Sequence, residues 1–195
     1  MTDQEKWDKA VQAIADEYRE LVPAVKMRAD SLLKRLVEVK ARVHAYAEQL
    51  QAADICASCG GECCVTGKYH FTVVDLLTYL REGKALFAPR FAFGRCPYLG
   101  DPGCLMEPAY RPYNCITFNC ERVERLMEPL EKEQYTGAER ELRSCYREIE
   151  MLFDNRFLQG MLINCERDLI EQGLPVLRGV VGNHSEACPR RIENG

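Results

Sequence analysis

The chain of 195 residues sets 26 Lys and Arg against 30 Asp and Glu, for a net charge of −4 at pH 7, and carries 11 cysteines. That length suits one cored domain or a small module set into a larger scaffold, and the acidic balance lacks the basic footprint of a nucleic-acid reader. No run reaches the roughly 20 apolar residues of a membrane span. The opening Met1-Thr2-Asp3-Gln4-Glu5-Lys6-Trp7 has no apolar stretch of the secretory kind, so a reducing cytoplasm is expected, where structural disulfides rarely persist.

Trp7, Val11, Ile14, Tyr18, Leu21 and Val25 recur at alternating intervals of four and three, the stripe of an amphipathic helix. Pro23 lies within this run and predicts a break near Val22, because proline removes a hydrogen bond and crowds the preceding turn. A second long helix is predicted from about Ala24 to Gln51, with Val25, Ala29, Leu32, Leu36, Val39, Val43, Tyr46 and Leu50 on one face and charged residues on the other. Such spacing predicts coiled-coil-like packing on another helix of this chain or of a second copy. His44, beside the stripe, reads as an ordinary boundary histidine, since no second ligand stands at helical spacing from it.

After Ile55 the composition turns to Cys, Gly and short polar residues. Eight of the cysteines fall between Cys56 and Cys120, first as C-x2-C-x3-CC (Cys56, Cys59, Cys63, Cys64) and then, after a long gap, as Cys96, Cys104, Cys115 and Cys120. Close thiol pairs from separated segments let several sulfurs converge on one metal centre. Gly60 and Gly61 allow a sharp turn that aims N–H groups at sulfur. Lys68 to Phe71 is a candidate short strand. Thr72 and Asp75 form a capping-box pair ahead of Val73, Val74, Leu76, Leu77 and Leu80, with Gly83 as the stop, so a helix is predicted over 73–82. The aromatic, Pro- and Gly-rich stretch 89–112 includes Gly100-Asp101-Pro102-Gly103, a turn between two short arms bearing Cys96 and Cys104 on one side of a small hairpin. The next helix begins near Cys115 or after Cys120.

A further helical stripe runs from Tyr135 to Gln172 through Leu142, Tyr146, Ile149, Phe153, Phe157 and Met161, continuing through Leu162, Cys165 and Leu169. On a single helix Cys145 and Cys165 would stand about 30 Å apart, so both are expected as small buried hydrophobes. The tail from Leu174 carries His184 and Cys188 without periodicity, and Cys188 reads as a spare thiol.

The pattern resembles the CxxCxxCC proteins of the YkgJ type, described as zinc- or iron-chelating. The resemblance rests on Cys56, Cys59, Cys63 and Cys64, on Phe71-Thr72-Val73-Val74-Asp75, on Cys96-Pro97-Tyr98-Leu99, on Cys104, and on the closing Tyr110-Arg111-Pro112-Tyr113-Asn114-Cys115-Ile116-Thr117-Phe118-Asn119-Cys120. Gly60-Gly61-Glu62 separates Cys59 from Cys63 where that family name implies two residues, which leaves open whether Cys63 or Cys64 points inward. The resemblance implies metal binding. A similar cysteine domain in flagellin lysine methylases adds methyl transfer as a further reading.

The fold class expected is mainly α, with long N- and C-terminal helices bundled around or beside a small Cys-rich, loop-rich metal module. The expected divisions are an N-terminal helical scaffold over 1–53, the module over 54–121, a C-terminal scaffold over 122–173 packing on the first, and a tail over 174–195. The candidate ligands are Cys56, Cys59, Cys63, Cys64, Cys96, Cys104, Cys115 and Cys120. Thiolates suit zinc and iron–sulfur clusters alike, and the loose later spacings favour an iron–sulfur cluster over a single ion. The metal is expected to hold the module together. Arg95 and Arg111 read as charge compensation beside thiolates or as an anchor for an anion; Tyr98, Tyr110 and Tyr113 read as core aromatics. No dinucleotide fingerprint, phosphate loop or catalytic triad is present, and the three histidines supply no general base. The functional readings are a cytoplasmic metal protein with a redox or electron-transfer role, an adaptor with structural zinc, and an iron–sulfur group-transfer enzyme. Partners are expected through the long helices, as a homo-oligomer or a second protein, without nucleic acid or membrane.

Overall fold

The computed structural model describes residues 1–58, 62–92, 94–100, 103–117, 121–157 and 160–178, except the side chains of 53, 56, 57, 62, 63 and 65. The chain is mainly helical. Helix α1 (Asp3–Arg19) starts at Thr2, whose hydroxyl accepts from the Glu5 N–H while the Glu5 carboxylate accepts from the Thr2 N–H, a reciprocal cap that satisfies two otherwise orphaned donors. Trp7, Ala10, Ile14 and Tyr18 form its buried face. The break falls where Pro23 predicts it: α2 (Pro23–Gln49) takes the proline into its first turn, where the missing N–H costs nothing.

Helix α2 packs along α7 (Pro129–Phe153). Ala29, Leu33, Leu36, Val39 and Val43 meet Leu142, Cys145, Tyr146 and Ile149 within one core, and Arg35 reaches Glu148 across the rim at 2.9 Å. One assignment of the charged face is corrected. Lys40 is fully buried, because it falls seven residues after Leu33 and four after Leu36, on the inward stripe.

A left-handed Gln51 (φ 51°) ends α2, and α3 (Ala52–Ser58) follows, so Cys56 sits on a short helix where the sequence suggests a loop. Residues Glu62–Tyr69 form a 3-10 segment in place of the expected strand. Its continuation makes a single antiparallel bridge, Thr72 with Gly160, and the Phe71 carbonyl accepts from the Met161 N–H at 2.7 Å. Gly160 permits this docking, since a Cβ there would stand 2.3 Å from the Tyr69 carbonyl oxygen. Helix α4 (Val73–Glu82) has the predicted cap and the predicted left-handed Gly83 stop, and residues 73–79 are all buried. Strands β1 (Leu99–Gly100) and β2 (Gly103–Cys104) pair antiparallel in the register Leu99 with Cys104 and Gly100 with Gly103. Cys104 is on an arm as expected, whereas Cys96 precedes β1 and its carbonyl accepts from the Leu99 N–H. Helices α5 (Tyr113–Thr117) and α6 (Glu121–Glu124) follow.

The long C-terminal helix is shorter than its stripe. Helix α7 begins at Pro129 and ends at Phe153, with Asp154 left-handed (φ 49°) and α8 (Leu162–Glu166) separate. Phe157, Met161, Leu162 and Cys165 are buried all the same, because the chain turns back toward α1 and the Cys165 thiol reaches the Lys6 carbonyl at 3.2 Å. The 30 Å separation therefore does not apply, but Cys145 and Cys165 are core residues, 1% and 2% exposed. The described start of the tail is anchored: the Val176 and Leu177 N–H groups both donate to the Glu17 carboxylate. The positions of His184 and Cys188 lie outside the described residues.

Candidate functional site

Four of the eight candidate ligands can be placed with their side chains, and they belong to three separate stretches: Cys64 in the 3-10 segment, Cys96 just before the hairpin with Cys104 on its second arm, and Cys115 on α5. Cys64, Cys96 and Cys115 are partly buried, and Cys104 is exposed. Cys59 and Cys120 lie outside the described residues, as do the side chains of Cys56 and Cys63, so the choice between Cys63 and Cys64 as the inward thiol falls there too.

The floor beneath the thiols is aromatic. Phe71, Phe87, Tyr98 and Trp7 of α1 form one cluster, with ring centroids 5.1 Å apart for Trp7 and Phe71 and 5.4 Å for Phe87 and Tyr98. Tyr98 is fully buried and its hydroxyl donates to the Lys68 carbonyl at 3.1 Å, tying the hairpin to the 3-10 segment. Gly67 makes the approach tighter: a Cβ there would stand 2.4 Å from the Cys96 Sγ. Tyr98, Tyr110 and Tyr113 all carry structural hydrogen bonds, the last two to Glu82 and Glu139. Burial, with the hydrogen bond to Glu82 adding to it, pushes the Tyr110 hydroxyl up to about 12.

The described thiols act on one another. Burial pushes the Cys115 thiol well above its ordinary range, and Cys104, Cys96, Asp75 and Cys64 raise it further. Burial also raises Cys96, with Cys104 adding to the effect and a backbone hydrogen bond at Tyr98 opposing it. A partly buried thiol that faces other ionisable groups resists ionisation, and a nearby cation offsets that cost.

Sequence reasoning missed His70. It follows the 3-10 segment, its N–H donates to the Gly67 carbonyl at 2.9 Å, its Nδ1 lies 3.4 Å from the Cys115 Sγ, and its Nε2 lies 3.4 Å from the Thr66 hydroxyl. Burial lowers its pKa. The signal available was its position six residues after Cys64.

A buried polar network lies behind the site. The Lys40 ammonium donates to Asp75 Oδ1 at 2.6 Å, both side chains fully buried. The Tyr146 hydroxyl donates to the same oxygen at 2.8 Å, and the Thr72 N–H and hydroxyl donate to Oδ2 at 2.9 and 2.7 Å. One carboxylate thus joins α2, α4 and α7. Arg111 is occupied by the Met106 carbonyl and by His44 Nε2, both at 3.2 Å, while Arg95 is exposed. His44 is held below its ordinary pKa by burial first and by Arg111 second.

Among the described residues, no three His, Cys, Asp or Glu side chains stand close enough together to hold an ion. The donor set, thiols from three stretches with an imidazole among them, nonetheless has the chemistry of zinc and iron–sulfur ligation. No helix among the described residues is long and apolar enough to cross a membrane. No protein-family model matches the chain, and no curated protein or solved structure matches it.

Proposed function

We propose that this chain is a cytoplasmic metal-binding protein whose cysteine module holds zinc or an iron–sulfur cluster. The observation that carries the reading is that Cys104, Cys96 and Cys64, from two other stretches of chain, all act electrostatically on the partly buried Cys115. Reduced cysteines at this density are an oxidation liability unless something occupies them. The motif order that resembles the CxxCxxCC proteins points the same way, and sequence spacing adds Cys56, Cys59, Cys63 and Cys120 to the proposed ligand set. An ion or cluster would supply positive charge to offset the thiolates. This chain's own residues would position those sulfurs: Gly67 admits Cys96, and Tyr98 fastens the hairpin to the 3-10 segment.

The test is metal analysis with a visible absorption spectrum on protein purified without oxygen. Iron and sulfide in a brown protein bleached by dithionite would support a cluster and a redox role. Stoichiometric zinc in a colourless protein would support a structural or mononuclear site. Protein carrying neither, and taking up neither on reconstitution, would refute the proposal.

A further inference from the structure

The pair formed by His70 and Cys115 says more about the centre than the cysteine count does. We infer that His70 Nδ1 and Cys115 Sγ are neighbouring ligands of one metal ion, so that the site is a mixed thiolate–imidazole centre. The inference rests on the metal-binding reading above and narrows it.

Three features of the geometry support it. First, Zn–S and Zn–N bonds of about 2.3 and 2.0–2.1 Å at the tetrahedral angle place sulfur and nitrogen about 3.5–3.6 Å apart, and the observed separation is 3.4 Å. Ligands on different irons of a cluster stand further apart, so the pair belongs to a single metal atom, whether that atom stands alone or is one iron of a cluster. Second, the other ring nitrogen is already engaged. Nε2 lies 3.4 Å from the Thr66 hydroxyl, which can accept from it; in the tautomer with the proton on Nε2, Nδ1 keeps a bare lone pair toward the thiol, and metal-bound histidines characteristically have such an outer partner. Third, the backbone holds the ring in place through the His70 N–H to Gly67 carbonyl bond, and the same glycine packs against Cys96. One short stretch therefore places an imidazole beside Cys115 and admits a second thiol.

An S–H···N hydrogen bond spans the same distance without an ion, and it is the state from which binding would start. With the ring proton on Nε2, the Cys115 S–H donates to Nδ1. An entering divalent ion bonds both atoms, the S–H bond breaks, and its proton leaves to water, so charge balances with one proton released per thiol ligated. No third donor stands with this pair among the described residues; Cys59 and Cys120 lie outside them, as do the side chains of Cys56 and Cys63.

The experiment is a Co2+ titration of the reduced, full-length chain, followed by visible absorption, for the native protein, His70→Cys and His70→Ala, with helical content checked by circular dichroism. Ligand type and geometry distinguish such sites. Native protein should give tetrahedral Co2+ bands at shorter wavelengths than His70→Cys, in which sulfur replaces nitrogen. His70→Ala should bind Co2+ about 100-fold more weakly, since losing even an outer-shell partner costs about 10–100-fold. If His70→Ala fails to fold, the band shift in His70→Cys still decides. Bound Co2+ with the same bands and affinity in all three proteins overturns the role of His70 and leaves metal binding standing. Iron with sulfide in the protein as purified, with a visible spectrum unchanged in His70→Cys and His70→Ala, overturns the role of His70 while sustaining the proposed function. A folded native protein that takes up no Co2+ and no Zn2+ overturns both.

Discussion

Replacing Lys40 with methionine isolates the electrostatic joint between the long helices and α4. Methionine fills much the same space, so the change removes charge rather than volume. It leaves a fully buried Asp75 carboxylate with three donors, the Tyr146 hydroxyl and the Thr72 hydroxyl and N–H, but no counter-charge. Breaking one side of a buried ion pair costs about 3–5 kcal/mol. At about 2–4 °C per kcal/mol for a chain of this size, that is a fall of about 6–20 °C in melting temperature. Urea unfolding followed by circular dichroism on reduced protein should show a lower midpoint with an unchanged slope, the mark of altered stability alone. Adding Asp75→Asn to Lys40→Met should then recover part of the loss, because the orphaned charge is gone. A loss below about 1 kcal/mol, the range of solvent-exposed pairs, or a double variant that loses the sum of the two single variants, would refute the view that this pair is an energetically coupled joint.

Gly160→Ala should separate the 160 segment from the Tyr69 carbonyl, since no backbone shift short of undocking clears a 2.3 Å approach. The cost should be about 1–3 kcal/mol, as for other overpacked sites, with faster amide exchange at Met161, whose N–H donates to Phe71. For His44, burial and Arg111 lower the pKa in the folded state, so the unfolded chain takes up the proton first. Its contribution to stability is present above the unfolded value of about 6.5 and declines as pH falls from there through the lower folded value. His44→Gln should flatten the slope of urea midpoint against pH between about 6.5 and 5, and an unchanged slope would remove His44 from the account.

The elements legible in the sequence were those specified locally. Thr72, Asp75 and Gly83 define α4 within twelve residues, and Pro23 marks the gap between α1 and α2, because caps and proline act through neighbouring backbone. What stayed hidden depends on distant partners. Lys40 reads as part of a solvated face until the Asp75 carboxylate, contributed by α4, is set opposite it. The stripe from Tyr135 continues past Phe153 in burial but not in helix, because Asp154 turns the chain and Glu150 caps the return by accepting from the Phe157 N–H. At the site, cysteine spacing marked the module but not His70, whose place beside Cys115 arises from a 3-10 path ending at Tyr69, where a strand had been expected.

The thiol-bearing rim rests on a floor whose contacts involve no metal. Phe71, Val74, Leu76, Leu77 and Tyr98 are buried to 1% exposure or less, the Asp75 carboxylate is satisfied from α2 and α7, and the Thr72–Gly160 bridge docks the entry to α4. Each anchor acts on residues 71–79 or 98, between the cysteines rather than at them. An ion bound as proposed would therefore contribute to folding at the stretches that carry Cys64, Cys104 and Cys115, of which one thiol is exposed and two are partly so. Such a division suits a metal centre. For the proposed site, the buried base would fix where the sulfurs and the His70 ring start from, and positioning by a locked supporting shell is what makes a ligand set selective.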